Sequence, residues 1–198
     1  MSLAATGRWR TRFARNSATR TRPSPTQDRR LAFNALLERR GQPADREAVQ
    51  AMIDLYRGHP PTISLYADGD AALTRLKTRF KLGIITDGAA VMQESKVAAL
   101  DLRTRVDAVV LTDEFGPGLG KPHPRAFEWI AERLAVELSS CVYVADNATK
   151  DFVAPNALGW MTIRIVRSDG VYRDTAAPDG GAPQNVLHSL DEIDAVLT

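Results

Sequence analysis

Polar side chains follow three apolar stretches of this sequence, and their types suit the binding of phosphate. Thr86 ends one stretch, Asp146 follows another, and Lys121 comes after the third across a glycine-rich loop. A hydroxyl and an ammonium can hold phosphate oxygens, and carboxylates can bind a magnesium ion that bridges them to the protein. Taken singly, Thr86 is also explained as a strand end and Lys121 as a solvated lysine. Together the residues indicate phosphoryl-transfer chemistry.

Two carboxylates, Asp146 and Asp151, lie five positions apart in the segment VYVADNATKD, residues 142–151. The apolar run 142–145 predicts a buried parallel strand, because a run without polar alternation needs both faces covered. Ligands bind outside the carboxyl ends of such strands, so Asp146 is placed for chemistry or for a cation, although a plain loop aspartate explains it equally well. Asp151 precedes a predicted helix and would either cap it or reach back toward Asp146.

Strands and helices alternate along most of the chain and would position these residues. Apolar runs predict strands at residues 82–85, 106–111, 142–145 and 161–166. Amphipathic spacing predicts helices between or beside them at residues 70–80, 90–100, 125–138 and 152–158. Two small helices are predicted earlier, at 31–41 and 45–56, and a closing helix at 186–197. The alternation predicts an α/β fold with a parallel sheet, right-handed crossovers and helices on both faces.

Length and composition set limits on the class of protein. A chain of 198 residues can bury one substantial core but not two full domains. Hydrophobic residues make up 44% and charged residues 25%, which is ordinary for a globular protein. No apolar run approaches a membrane span or a secretory signal, so we expect a cytoplasmic protein without a membrane partner. The single cysteine, Cys141, excludes an internal disulfide and suggests a packed thiol.

The first thirty residues are rich in arginine and show no periodic pattern. Eight arginines lie there, and Asp28 is the only acid. Such a segment could bind nucleic acid by releasing counterions from phosphates. We favour an irregular tail instead, because the segment contains no recognisable nucleic-acid-binding module. Nucleic acid is therefore not an expected partner.

The three loops together resemble the haloacid dehalogenase-like (HAD) hydrolase superfamily, and more closely its phosphatases with a small helical cap. The family's second motif, an apolar strand ending in Ser or Thr, is similar to GIITDG at 83–88. Its third, a loop lysine often followed by proline, is similar to GKPHPRAF at 120–127. Its fourth, a strand ending in Gly-Asp with a second Asp shortly after, is similar to VADNATKD at 144–151. The resemblance extends over residues 31–166.

The resemblance implies a Rossmann-like fold and a magnesium-dependent phosphatase that acts on small phosphorylated metabolites. By motif position, the phosphate-binding residues would be Thr86, Asp87, Gly88 and Lys121. Thr86 and Lys121 would also be the catalytic residues, with Lys121 neutralising the phosphate and the nucleophile. Asp146 would bind Mg²⁺, and Asp151 would support the metal directly or through another ligand. Neither the substrate nor the oligomeric state can be inferred from these motifs.

One part of the family pattern is missing. The first motif, Asp-x-Asp-x-Thr or Val, supplies the nucleophilic aspartate and should precede residue 31, but no apolar strand there leads to an acid. A phosphatase of this kind works by carboxylate attack to give an aspartyl phosphate. We therefore expect an impaired enzyme, and the alternative is a non-catalytic protein that binds phosphate or a metabolite.

The missing motif also affects the expected architecture, because its strand lies at the centre of the family's sheet. We expect an irregular arginine-rich segment at 1–30, a helical cap at 31–66 and an α/β core at 67–198, with the central first strand missing. Three explanations stay open: a true start upstream or in another reading frame, a degenerate ligand-binding protein, or an unrecognised segment that completes the sheet. We prefer the first, because the sequence from residue 31 onward has the regular pattern that the first thirty residues lack.

Overall fold

The computed structural model describes Ser2–Leu3 and residues 31–197. The described residues form two compact units. One comprises Ser2–Leu3 with residues 62–197, and the other comprises residues 31–61.

The smaller unit consists of two helices, α1 (Ala32–Arg39) and α2 (Arg46–Gly58). Asp45 caps α2, because its carboxylate accepts a hydrogen bond of 2.8 Å from the backbone N–H of Ala48. The rings of Phe33 and Tyr56 meet edge to face, with centroids 5.8 Å apart, and hold the two helices together. The helices predicted at 31–41 and 45–56 are confirmed.

The larger unit contains parallel strands throughout. The strands are β1 (Ser2–Leu3), β2 (Gly83–Thr86), β3 (Ala108–Leu111), β4 (Val142–Ala145), β5 (Met161–Ile165) and β6 (Asn185–Leu187). Hydrogen bonds join them in the orders β1-β4-β5-β6 and β2-β3, and β1 also contacts β2. Every pairing is parallel. The four predicted strands are confirmed, and the strand predicted at 142–145 has the same bounds in the structure.

The position of β1 corrects the expectation of a missing central strand. Ser2 pairs with Tyr143 and Leu3 with Val144, so this short strand lies beside β4 and also contacts β2. Its formation supplies partners to backbone groups of β4 that would otherwise be unpaired. Two residues are too few to produce a periodic pattern, which is why the segment was predicted to be irregular. The arginine-rich part of that prediction lies outside the described residues.

Helices connect the strands of the larger unit. They are α3 (Ala67–Lys77), α4 (Ala90–Ala99), α5 (Leu102–Arg105), α6 (Arg125–Leu134) and α7 (Val153–Ala157). Helix α6 was predicted to reach residue 138, but it stops earlier because Ala135 adopts a left-handed conformation with φ +50°. No helix in the described part of the chain is long and apolar enough to cross a membrane.

The closing helix predicted at 186–197 is wrong. Residues Asn185–Leu187 instead form β6, which pairs with β5, and a 3₁₀ helix follows at Leu190–Ala195. Ser189 and Glu192 form a capping box that starts this 3₁₀ helix after the strand has ended. The backbone groups of 185–187 thus find partners in the sheet rather than in a helix.

Apolar clusters cover both faces of β4, as its unbroken apolar run predicts. Val142 and Val144 belong to a cluster that includes residues of α3, α4 and α5. Tyr143 and Ala145 belong to a second cluster with residues of α6 and α7. Alternate residues of a strand point to opposite faces, so helices lie on both sides of the parallel sheet. Cys141 is buried in the second cluster, which confirms the packed thiol.

Candidate functional site

The predicted site residues gather at the carboxyl ends of β2 and β4. Thr86 is the last residue of β2, and Asp146 directly follows β4. Lys121 reaches this edge from the loop between β3 and α6, where its Nζ lies 2.6 Å from Asp151 Oδ1. The Lys121 ammonium also donates a hydrogen bond of 3.1 Å to the hydroxyl of Tyr143. The structure therefore brings Lys121 together with the loop that carries both predicted metal ligands.

Lys121 and Asp151 form a buried ion pair. The exposed fractions of their side chains are 7% and 2%. Burial by itself lowers the pKa of Lys121, but Tyr143 and Asp151 together raise it above its usual range. Burial raises the pKa of the Tyr143 hydroxyl. The site therefore holds a permanently charged ammonium beside a neutral phenol at neutral pH.

Asp151 closes its own loop rather than capping the next helix. Its Oδ2 accepts a hydrogen bond of 3.1 Å from the backbone N–H of Asn147. Helix α7 begins after Phe152 and has no side-chain cap, so the N-cap role considered for Asp151 is wrong. Asp151 serves Lys121 instead, since a buried ammonium needs a carboxylate as its counter-charge.

Asp146 is a partly buried carboxylate with a shifted pKa. Burial and the nearby charge of Asp151 raise its pKa to about 6, while Lys121 and Arg164 act in the opposite direction. Ionisation of Asp146 therefore lowers the stability of the folded protein. Carboxylates in this condition are typical of functional sites, because a cation or a hydrogen-bond donor would relieve the cost.

The turn after β2 packs against Gln93 of α4. Thr86 donates a hydrogen bond of 2.7 Å from its hydroxyl to Gln93 Oε1. Gly88 adopts φ +130°, and a Cβ there would lie 2.8 Å from Gln93 Nε2, so the turn requires glycine. Since a hydroxyl has one proton to donate, Thr86 must turn away from Gln93 before it can donate to a phosphate. Gln93 was not predicted, although it lies only one turn into the helix that follows the motif.

The Asp87 carboxylate links β2 to the Lys121 loop. Its Oδ1 accepts hydrogen bonds from Thr112 Oγ1 at 2.7 Å and from the backbone N–H of Lys121 at 3.1 Å, and its Oδ2 pairs with Lys150. Burial alone would raise the pKa of Asp87, but these partners lower it. Gly120 must be small here, because a Cβ would lie 2.6 Å from Asp87 Oδ1. Thr112 and Lys150 were missed, because each is distant in sequence from Asp87.

The described residues do not by themselves complete a magnesium site. Mg²⁺ requires several oxygen ligands in octahedral geometry. Asp151 is already engaged by Lys121 and Asn147, which leaves Asp146 as the more available of the two predicted ligands. Within the described ranges, no three side chains of His, Cys, Asp or Glu are arranged to hold a metal.

No carboxylate directly follows β1, the strand that would carry the family's first motif. The sequence after Leu3 continues with Ala4 and Ala5. An Asp-x-Asp spacing does occur at Asp68 and Asp70, but these residues lie in the first turn of α3 instead of at a strand end. Asp68 is held there by hydrogen bonds from Arg167 and from the backbone N–H of Leu190.

Comparisons with known proteins agree with this arrangement of fold and loops. The family model for haloacid dehalogenase-like hydrolases matches residues 4–159. Glyceraldehyde 3-phosphate phosphatase from Methanocaldococcus jannaschii is 34% identical over 71% of this chain, and the same enzyme from Methanopyrus kandleri is 35% identical over 72%. The chain spans 57% and 60% of the lengths of these relatives.

A solved structure shares the fold. The HAD-hydrolase YfnB from Bacillus subtilis, a structure bound to magnesium, matches with a TM-score of 0.66 at 20% identity, over 85% of this chain and 71% of that one. Strands β2, β3 and β4, the lysine loop and the two-aspartate loop lie within the segment that the family model matches. The chain therefore belongs to the haloacid dehalogenase-like hydrolase family.

Proposed function

We propose that this chain binds the phosphate group of small phosphate monoesters, that it descends from magnesium-dependent phosphatases, and that its hydrolytic step is impaired. The observation that carries the proposal is the buried, charged Lys121, tied to Asp151 at the sheet edge where Thr86 ends β2. A lysine ammonium has three donors, and Asp151 and Tyr143 take two of them, which leaves one for a phosphate oxygen. The archaeal relatives named as phosphatases support the same class of substrate.

The proposed phosphate contacts come from the turn after β2 and from Lys121. The backbone N–H groups of Asp87 and Gly88 would donate to phosphate oxygens, and the Thr86 hydroxyl would join them after it leaves Gln93. Lys121 would supply the positive charge. Asp151 and Tyr143 act as positioning residues, since they hold Lys121 in place and keep it protonated.

Within the described residues, the engagement of the carboxylates around Lys121 supports binding without efficient turnover. An aspartyl phosphate needs a carboxylate that is free to attack. Asp87 is paired with Lys150 and Asp151 with Lys121, so neither is available for attack. If the hydrolytic step is lost completely, the chain is a non-catalytic phosphate-binding protein.

Three further features belong to the same proposal. Mg²⁺ is the proposed cation, with Asp146 as one of its ligands, and the magnesium-bound structural neighbour supports this choice. The smaller unit, residues 31–61, is the proposed helical cap. A cytoplasmic location is proposed because the single cysteine gives no sign of an oxidising compartment.

The binding half of the proposal is tested by titrating the purified chain with inorganic phosphate in a calorimeter. We expect saturable binding that Thr86→Val weakens by roughly tenfold, the effect of losing one hydrogen bond to a charged group. Thr74→Val is the matched control, because Thr74 lies on an exposed face of α3 and should leave the affinity unchanged. A folded chain that binds no phosphate would contradict the proposal.

A further inference from the structure

Lys150 and Asp87 form an ion pair next to the one between Lys121 and Asp151. Lys150 lies in the loop after β4, and Asp87 lies in the turn after β2, directly behind Thr86. The exposed fractions of the Lys150 and Asp87 side chains are 32% and 18%, so this pair is accessible to solvent. Lys150 is not among the residues to which the family resemblance assigns a role.

One oxygen of Asp87 holds neighbouring segments in place. Its Oδ1 accepts the hydrogen bonds from the Thr112 hydroxyl at 2.7 Å and from the backbone N–H of Lys121 at 3.1 Å. A neutral amide oxygen could accept both of them. The contacts of Oδ1 therefore explain an oxygen at this position, but they do not explain its negative charge.

That negative charge lies close to the proposed phosphate. The backbone N–H of Asp87 is one of the proposed phosphate donors, so the carboxylate belongs to a residue that would contact the anion. Burial alone would raise the pKa of Asp87, but hydrogen bonds from Lys150 and Thr112 and the charges of Lys150 and Lys121 hold it below its ordinary value. The carboxylate is therefore ionised at neutral pH, and without a counter-charge it would repel a phosphate.

The Lys150 ammonium supplies the counter-charge. It donates a hydrogen bond to Asp87 Oδ2, whereas Thr112 and the Lys121 backbone bind Oδ1. Asp151, the next residue along the chain, pairs with the Lys121 ammonium. The loop after β4 thus provides a cation for the turn after β2 and an anion for the lysine loop, and each of the four charges has a partner of opposite sign.

A direct contact between Lys150 and the phosphate is the competing interpretation. The Lys150 ammonium is already bound to Asp87. If it left Asp87 to bind the phosphate, the anion would meet an uncompensated carboxylate on the adjoining turn, and the repulsion would offset the gain. The observed pairing therefore favours a role through Asp87.

We propose that Lys150 is a positioning residue of the phosphate site, which acts by neutralising the Asp87 carboxylate so that the turn after β2 can accept an anion. The inference rests on the proposed function, because it concerns the same phosphate. It assigns Lys150 no contact with the ligand. The effect of Lys150 on the affinity for phosphate must then depend on whether residue 87 carries a charge.

The test is a double-variant cycle in which the full chain is titrated with inorganic phosphate in a calorimeter. Lys150→Met should weaken binding by roughly tenfold, the size expected for one uncompensated charge near the anion at a partly exposed site. Asp87→Asn should tighten binding by a similar factor, because the amide oxygen still accepts from Thr112 and Lys121 while the charge of Lys150 is no longer cancelled. The double variant should bind within about threefold of the wild type, since both charges are removed together.

Two further variants separate charge from structure. Lys150→Arg keeps the charge and should bind phosphate like the wild type, whereas Lys150→Gln keeps a hydrogen-bond donor without the charge and should bind as weakly as Lys150→Met. Lys77→Met is the matched control and should leave the affinity unchanged, because Lys77 is exposed on α3 and donates to the Thr104 carbonyl. A general loss of packing would weaken binding in every site variant and could not produce the tighter binding of Asp87→Asn.

The outcomes separate the inference from the function on which it rests. If the wild type binds phosphate but Lys150→Met does not weaken binding, or Asp87→Asn does not tighten it, the positioning role is overturned and phosphate binding stands. A double variant that stays as weak as Lys150→Met overturns it too, because Lys150 would then act on the phosphate directly. If the folded wild type binds no phosphate, both the inference and the proposed function are overturned.

Discussion

Lys121 and Asp151 can be buried at the sheet edge because each neutralises the other. Removing one partner of such a pair leaves an uncompensated charge in a low dielectric, whereas removing both charges leaves much less to be compensated. The Asn147 N–H adds a second requirement, since it needs an acceptor at the position of Asp151 Oδ2. The ion pair therefore stabilises the fold and also holds Lys121 at the proposed phosphate site.

This account predicts that Lys121→Met destabilises the fold by about 3–5 kcal/mol, because the Asp151 carboxylate loses its counter-charge. The double variant Lys121→Met with Asp151→Asn should recover a large part of that loss, since the amide oxygen can still accept from Asn147. Urea unfolding of the wild type, both single variants and the double variant gives the coupling energy. A loss below about 1 kcal/mol for the single variant, or additive losses in the double, would show that the pair is not buried in this way.

Removing the charge of Asp146 should raise the free energy of unfolding, in contrast to Lys121→Met, because the ionised carboxylate is unfavourable in the folded protein. Its folded pKa of about 6 lies above the ordinary value of 3.8, so the ionised group destabilises the folded state. The cost is absent below the ordinary pKa, grows as the pH rises toward 6 and is complete above it. Asp146→Asn is therefore expected to stabilise the protein at pH 8, by up to about 3 kcal/mol, with the gain vanishing toward pH 4.

Chemical unfolding of the Asp146→Asn variant at a series of pH values checks this prediction. Asp179→Asn, at an exposed position in the turn-rich segment before β6, is the control and should shift stability at no pH. A destabilised Asp146→Asn variant at pH 8 would mean that the carboxylate makes favourable contacts that the amide cannot replace.

At the scale of elements, the contact between β2 and α6 depends on a glycine. A Cβ on Gly83 would lie 2.6 Å from Ile130 Cδ1, 3.0 Å from Ile130 Cγ1 and 3.2 Å from Leu134 Cδ1. Both neighbours are buried on α6, so they have little room to move. The strand that carries Thr86 is therefore packed against this helix as closely as its backbone allows.

Gly83→Ala should destabilise the protein by about 1–3 kcal/mol, since it overfills this contact. Gly69→Ala in α3 is the matched control, because its nearest neighbour would be 3.9 Å away, and it should stabilise by up to about 1 kcal/mol through helix propensity. The two midpoints of thermal unfolding should move in opposite directions. A neutral Gly83→Ala would show that α6 can shift away from β2.

The elements predicted best from the sequence are those whose hydrophobic pattern follows directly from burial, on both faces of a strand or on one face of a helix. Strand β4 was predicted with its bounds because its residues contact clusters on both faces of the sheet. Strands β1 and β6 were missed, since two or three residues give no period, and the pairing that forms them is with distant strands. The closing helix failed for the same reason, because pairing with β5 outweighed a helical pattern.

The site was predictable where a residue ends a strand and less so where partners come from elsewhere. Thr86, Lys121 and Asp146 lie at the expected sheet edge, although their roles stay predictions. Thr112 and Lys150 were not foreseen, because their contacts with Asp87 join segments that are distant in sequence. Gln93 was missed although it lies only seven residues after Thr86.

At the scale of the whole molecule, the chain combines the proposed phosphate-binding edge with a first strand that lacks the family's aspartates. Strand β1 restores the pairing of β4, so the sheet does not depend on the Asp-x-Asp motif for its backbone hydrogen bonds. Binding and turnover are separable in such a molecule, because the groups that hold a phosphate are distinct from the carboxylate that would attack it.

The measurement that tests this separation most directly is the hydrolysis of p-nitrophenyl phosphate by the purified, folded 198-residue chain, with and without Mg²⁺. We predict no phosphate release above that of a matched Lys121→Met sample in either condition, from a chain that still binds phosphate in the calorimeter. Magnesium-dependent turnover that Asp146→Asn abolishes would contradict the account, because a carboxylate in this chain would then be performing the attack that we infer to be lost.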